Sequence, residues 1–418
     1  ATGPSAPGAQ QSGGGGNPSL ACAPGRNGGA TDKGVTATRI RLASTAVLDG
    51  NAASLLADSP TGMKAVIDAA NREGGICGRR LELTVVNDGF KPERGLAYIR
   101  NFIEDPTGYF ALPVVPSAEG LSAAIANKEI SRAGIPVVGT DGMRIEQYDE
   151  PWVWPVAAAT VSTMRVMVRH AHEKLGVKTF AIVYDSKYKF GIEGAKAFEE
   201  QVKAVGGELV EKRELDPDRP SYSSDAQAFS EKCKDGRCDM IAMLLLPDAA
   251  KTWMAARPAP AAKYLAGAQT LFTERFARDC VQVAGYLCNG LAVWTGFNPP
   301  IGALAATPGV AKYVQDVRAV DPGIDVQNQF LQGAYLGMSV FVDALKRVGP
   351  ELTRARLREV LDQMTYQSDL APTLQWGPGR HHANIRARAF AMVVAQGTFT
   401  GWRDENTGFV ADPVYENK

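Results

Sequence analysis

The stretch Tyr109–Gly142, YFALPVVPSAEGLSAAIANKEISRAGIPVVGTDG, restricts the possible folds more than any other part of the chain. Its apolar run Tyr109–Val115 is short and punctuated by proline, as suits a strand buried on both faces. Pro116, Ser117, Ala118 and Glu119 then open an Ala-rich helix. Ser117 suits the N-cap, and Glu119 puts negative charge at the positive end of that helix. Ile135–Val138 is the next buried strand, and Gly139-Thr140-Asp141-Gly142 turns out of it. A strand–helix–strand of this length implies a parallel sheet, whose ligands sit beyond the carboxyl ends of the strands. Both turns fall there. They offer backbone N–H groups and small hydroxyls to an anionic or polar small molecule.

The same grammar extends both ways. TRIRLAS (38–44) reads as a strand, 60–73 as a helix stopped by Gly74-Gly75, 80–87 as a strand and 92–104 as a helix. Trp152-Val153-Trp154-Pro155 breaks the rhythm and suits a crossing between lobes. Alternation then restarts. Helices are predicted over 161–174, 191–205, 224–232 and 249–255, with strands over 179–184, 208–213, 240–246, 263–266 and 287–294. Helices follow over 309–320, 329–348 and from Thr353, then a strand over 387–395 and a turn-rich tail. Two successive α/β units with helical connections mean parallel sheets covered on both faces.

The 418 residues suffice for two full cores. Lysine plus arginine equals aspartate plus glutamate at 45 each, without long runs of one sign. That balance argues against nucleic acid or an anionic membrane surface as the main partner. No apolar run approaches the length of a bilayer span.

The opening ATGPSAPGAQQSGGGGNPS has almost nothing to bury and reads as disordered. It fits a flexible tether for a protein anchored outside a membrane; a simple tail is the alternative. Cys22 in SLAC has no hydrophobic signal region before it, so a lipid-attachment role for Cys22 is not expected. The six cysteines pair readily. Cys233 and Cys238 flank the turn KDGR, Cys280 and Cys288 flank seven residues, and Cys22 and Cys77 remain. Disulfides in an oxidising compartment are the reading, with free buried thiols as the alternative.

Catalytic signatures fail one by one. His172-Glu173 lacks the second histidine of a zinc-protease helix, and Gly337-Met338-Ser339 does not reach the second glycine of a nucleophile elbow. GPGRHH is neither a dinucleotide nor a phosphate loop, and His381-His382 has no carboxylate ligand at suitable spacing. No enzyme, metal or cofactor is therefore expected.

Several segments together resemble the type I periplasmic solute-binding proteins of the branched-chain amino acid and amide group, receptors of ABC transporters. They are TRIRLAS, NREGGICGRRLELTVVND, SAEGLSAAIANKEISRAGIPVVG, FAIVYDSKYKFGIEGAKAFEEQVKAVGGELV, and QGAYLGMSVFVDALKRVG followed by TRARLREVLDQM. The resemblance runs over about residues 35–400, and its specificity lies in order and spacing. It implies an α/β fold of two doubly wound parallel-sheet lobes joined by a three-segment hinge. With crossings near Pro155, Phe297 and Ala387, lobe 1 is 35–155 and 297–387, lobe 2 is 156–296 and 388–418, and 1–34 is a tether.

By resemblance, Ser117, Ala118 and Glu119 form the first-lobe turn that holds a ligand carboxylate, although Glu119 would oppose one. Thr140 and Asp141 match the second turn. Tyr188 and Phe190 stand where an aromatic ring covers the ligand from the second lobe. Leu246 lines that wall, and Thr45, Ala46 and Tyr335 are further candidates. Gln269 falls where some relatives pair a carboxylate with an amino-acid ammonium, and an amide cannot form that ion pair. Plain helix capping, an aspartate bonding its own turn, and core packing are the structural alternatives for these residues. Trp152, Trp154 and Trp376 suit hinge or core packing. The implied function is an extracytoplasmic receptor, a monomer tethered through its front end, that hands a small amino-acid-like or organic-acid ligand to permease subunits. A sensor signalling to a protein partner is the alternative.

Overall fold

The computed structural model describes residues 22, 26–140, 143–256, 262–378, 381, 385–393, 397–401 and 408–415. Most of the predicted tether, together with Asp141, Gly142 and His382, lies outside the described residues. Residues 27–34, read as tail, are held down instead. The buried Arg79 guanidinium donates to the carbonyls of Asn27 and Gly29, and Thr31 Oγ1 donates to Leu352 O at 2.6 Å.

The first sheet contains β1 (Arg39–Ala46), β2 (Arg80–Asn87), β3 (Leu112–Pro113), β4 (Val137–Val138) and β5 (Val153–Trp154). All pairings are parallel, in the order β2-β1-β3-β4-β5, with β1 joined to the third strand through a Leu42–Ala111 bridge. Helices α1 (Ser59–Arg72), α2 (Pro92–Glu104) and α3 (Ala118–Ala126) connect the first strands. Side chains alternate across the strands. Ile40, Leu42, Val138 and Trp154 enter one core, while Ala43, Leu112, Val137 and Val153 enter another with α2 and α3.

The chain then crosses to a second sheet. It comprises α4 (Thr160–Leu175), β6 (Thr179–Asp185), α5 (Lys189–Ala204), β7 (Glu208–Leu215), α6 (Ser223–Cys233), β8 (Met240–Leu244), α7 (Pro247–Ala255), β9 (Tyr264–Gly267), α8 (Glu274–Ala284) and β10 (Ala292–Thr295). Its parallel order β7-β6-β8-β9-β10 repeats that of the first sheet. The chain returns through α9 (Pro308–Val320), α10 (Gln329–Val348), α11 (Arg354–Leu361) and the hairpin β11 (Thr365–Ser368) and β12 (Ala371–Gln375), all on the first core. A third passage leads to β13 (Arg386–Val393), antiparallel to β10, then β14 (Thr398–Gly401) and β15 (Val410–Ala411) on either end of β13. Two passages touch: Trp376 Nε1 donates to Pro155 O at 3.2 Å.

The six cysteines form the disulfides Cys22–Cys77, Cys233–Cys238 and Cys280–Cys288, the latter two expected from spacing and the first by elimination. Several local readings differ from the structure; the strand predicted over 287–294, for one, is realised only at Ala292–Thr295, after a 3-10 turn at Gly285–Cys288. The run 109–115 is strand only at Leu112–Pro113, because Val114 takes a left-handed φ of 52° and its neighbours include two prolines. Helix α8 was not foreseen, although Thr273 caps it by accepting from Phe276 N at 2.9 Å. Ser117 sits at the N-cap of α3 but makes no side-chain cap bond there.

Candidate functional site

Carboxyl ends of both sheets meet across one cleft. On the first side stand Thr45–Val47 at the end of β1, Asp88–Phe90 after β2, Ser117–Glu119 after β3, and Thr140, Met143 and Arg144 after β4. Asp185–Tyr188 at the end of β6 and Leu246 after β8 stand opposite. Glycines let these turns come together. A Cβ on Gly139, whose φ is 82°, would lie 2.2 Å from Gly337 Cα of α10. One on Gly95 would lie 2.4 Å from Gly120 Cα, so the starts of α2 and α3 touch backbone to backbone.

The first wall is organised by Asp88, buried at the foot of that helix pair. Its Oδ1 accepts from Ser117 Oγ at 2.9 Å and from Phe90 N at 2.9 Å. Burial raises its carboxyl above the usual range, and these bonds partly offset the shift. The Phe90 N–H bond helps hold a non-glycine residue at a φ of 61°. The ring of Phe90 then meets Tyr188 edge to face, with centroids 5.1 Å apart at 63°. Tyr188 in turn stacks on buried Phe190 at 6.3 Å.

Charge concentrates beside this apolar contact. Glu119, in the first turn of α3, pairs with the guanidinium Nη2 of Arg144, which is only 1% exposed. Burial pushes Arg144 down to about 10; Glu146, Glu193 and Asp185 act in the other direction. Among the described residues its Nε and Nη1 have no hydrogen-bond partner. Glu146 accepts from Ser122 Oγ at 2.6 Å and from Lys189 Nζ at 2.7 Å. Burial would raise Glu146, but Lys189 and Ser122 hold it below the usual range. Asp185 Oδ1 accepts from the N–H groups of Lys187 and Tyr188 at 2.9 and 3.0 Å, and burial pushes its carboxyl up to about 6.

The two sides are in contact. Besides the Phe90–Tyr188 and Lys189–Glu146 pairs, Asn51 Nδ2 donates to Asp218 Oδ1 at 2.7 Å. One apolar cluster runs across the cleft, joining Val47, Leu55, Ala118 and Met143 to Phe190 and Leu246.

The predicted residues divide into three groups. Thr45, Ala46, Ser117, Ala118, Glu119 and Thr140 lie on the first wall, and Tyr188, Phe190 and Leu246 on the second. The hydroxyls of Ser117 and Thr140 are engaged within the protein, with Asp88 and with Gln147 Oε1. Gln269 sits at the crossing, where Oε1 accepts from Thr163 Oγ1 at 2.6 Å and Nε2 donates to Ala158 O at 3.4 Å. Tyr335 is not brought to the cleft. It lines a groove of about 610 Å3 between α1, α9, α10 and the β11–β12 hairpin, donating to Asp316 Oδ2 at 2.6 Å. Asp141 lies outside the described residues. Sequence reasoning missed Asp88, Phe90 and Arg144. Applying the strand-end rule to β2 would have found the first two; Arg144 carries no local signal.

A family model described as periplasmic binding protein matches residues 39–398. Among solved structures, the chain is similar to a fatty acid ABC transporter substrate-binding protein from Thermomonospora curvata, with 15% identity, a TM-score of 0.75, and 93% of this chain and 96% of that one covered. It is similar to an extracellular ligand-binding receptor from Verminephrobacter eiseniae at 21% identity and TM-score 0.72, covering 87% and 99%. It is also similar to an ABC transporter solute-binding protein from R. palustris in complex with benzoate, at 17% identity and TM-score 0.71, covering 90% and 97%. These likenesses show the fold. No curated protein matches the sequence.

Proposed function

The chain belongs to the type I periplasmic binding protein family, a family of solute-binding proteins rather than enzymes, and from that premise we propose that it is the receptor of an ABC transporter. Membership implies work outside the cytoplasm. In this reading lobe 1 is 35–155 with 297–387 and lobe 2 is 156–296 with 388–418, a small organic ligand closes them, and the closed form is delivered to permease subunits. The Gly-, Pro- and Ser-rich front end serves as tether for a monomer.

The observation that carries the reading is the meeting of Phe90 with Tyr188 and of Glu146 with Lys189 across the cleft. Contacts of this kind form only when the two sides approach each other, and a ligand favours that approach only by touching both sides. A small organic acid is favoured over a free amino acid. Gln269 is neutral, and its Oε1 and Nε2 already bond Thr163 and Ala158, so it cannot supply the charge an ammonium group needs. The similar proteins from Thermomonospora curvata and R. palustris are named for fatty acid and benzoate.

A thermal-shift screen with amino acids, amides, aromatic acids and short carboxylates tests this. A compound at 100 times its dissociation constant adds about 2.7 kcal/mol. The reading fails if a binder leaves the lobe separation unchanged by small-angle scattering and Tyr188→Ala leaves its affinity unchanged.

A further inference from the structure

We infer that Arg144 is the anchor for a ligand carboxylate, and that Glu119 holds its place as a built-in counter-ion. This rests on the reading of the cleft as the binding site. The argument begins with the cost of the arrangement. A guanidinium offers five N–H donors, and burying it with donors unpaired is expensive. Arg144 is 1% exposed, yet among the described residues only Nη2 has a partner, Glu119 Oε1. The Nε and Nη1 donors meet no acceptor among those residues.

Its surroundings place Arg144 where the two sides meet. Glu119 belongs to the first wall, whereas Asp185 and Glu193, which act on it electrostatically, come from the second. These other acids are already occupied. Glu146 takes Ser122 and Lys189, Glu193 takes Lys189 at 3.3 Å, and Asp185 Oδ1 takes two backbone N–H groups, although Asp185 Oδ2 has no partner among the described residues. Among the described residues the Arg144 guanidinium is thus a cation with spare donors between the two walls, and such donors match the oxygens of a carboxylate. Phe90 and Leu246, with Tyr188 packed against them, belong to the apolar cluster that joins the same two walls, and in this assignment that cluster takes the remainder of such a ligand. The class is thus a small acid with an apolar body.

Glu119 explains how the site is kept without ligand. A buried arginine with no counter-charge would destabilise the empty protein. Its carboxylate also competes for the guanidinium, so removing it should favour an incoming acid.

Calorimetry with matched probes tests this: benzoate against benzamide, hexanoate against hexanamide, and L-leucine against L-leucinamide. At least one acid should bind the wild type about a hundredfold more tightly than its amide. Arg144→Gln alone leaves the Glu119 carboxylate unpaired at a destabilising cost, so the second variant is Glu119→Gln/Arg144→Gln, a neutral pair of similar shape. It should fold and lose acid affinity by about a hundredfold. Glu119→Gln alone should bind the acid more tightly, a gain that a merely structural ion pair does not produce. Amides binding as well as acids, or full acid affinity in the folded double variant, overturns the assignment and leaves the receptor reading intact. Binding of none of the six probes overturns the assignment for this class of acid. If scattering also shows no closure with any compound in the wider screen, the receptor reading falls with it.

Discussion

Phe90→Ala, Tyr188→Ala and the double variant together measure how strongly the two sides of the cleft hold each other shut. The rings meet edge to face with centroids 5.1 Å apart. Such a pair is worth about 0.5–1.5 kcal/mol beyond the area it buries. Broken only when the lobes part, it should shift the closed-to-open ratio by roughly 2- to 12-fold. Phe90 carries a second, separable effect. Its φ is 61°, so alanine at this position keeps the left-handed backbone while losing the ring. Phe90→Gly should therefore be more stable than Phe90→Ala by about 1 kcal/mol, since glycine adopts that conformation freely. Scattering reports the closed fraction, denaturant midpoints report stability, and the cycle isolates the pair. Single-variant effects on closure that add to within about 0.3 kcal/mol would show that the rings are not coupled. Equal stability of the alanine and glycine variants would refute the backbone argument.

Asp185 should make stability depend on pH. Burial raises its carboxyl from the ordinary 3.8 to about 6, so its contribution is fully present below about 4 and is lost as pH rises through about 6. Asp185→Asn, which keeps an oxygen for the Lys187 and Tyr188 N–H groups, should flatten that dependence and gain up to about 3 kcal/mol at pH 8. An unchanged pH profile counts against it. Among the disulfides, Cys22–Cys77 closes the longest loop, with a sequence separation of 55 against 5 and 8. Removing it with a Cys22→Ser/Cys77→Ser pair should cost about 4 kcal/mol, and removing either short loop about 2–3 kcal/mol. Guanidinium titration ranks them, and a larger loss from Cys233–Cys238 would contradict the chain-entropy argument.

The sequence by itself determined what depends on near neighbours. Strand 80–87 and helices 92–104 and 329–348 were legible to the residue, because hydrophobic period, Pro at a helix start and Gly at its end are local signals. Short spacing across a turn likewise indicated Cys233–Cys238 and Cys280–Cys288, and the repeated alternation indicated two parallel sheets. Which strand ends supply the cleft also followed from the chain, since a parallel sheet puts its free turns there. Only the tertiary structure decided what each side chain does once it arrives. Ser117 looks like an N-cap in sequence, but the Gly95–Gly120 approach brings Asp88 to its hydroxyl. Gln269, a ligand candidate in the sequence, is placed at the crossing, where it bonds Thr163 and Ala158. Tyr335 shares a helix with residues of the core yet faces a separate groove. Arg144 has no motif at all. Its importance lies in two donors left unpaired by the packing of elements remote in sequence, and no local pattern encodes the absence of a partner.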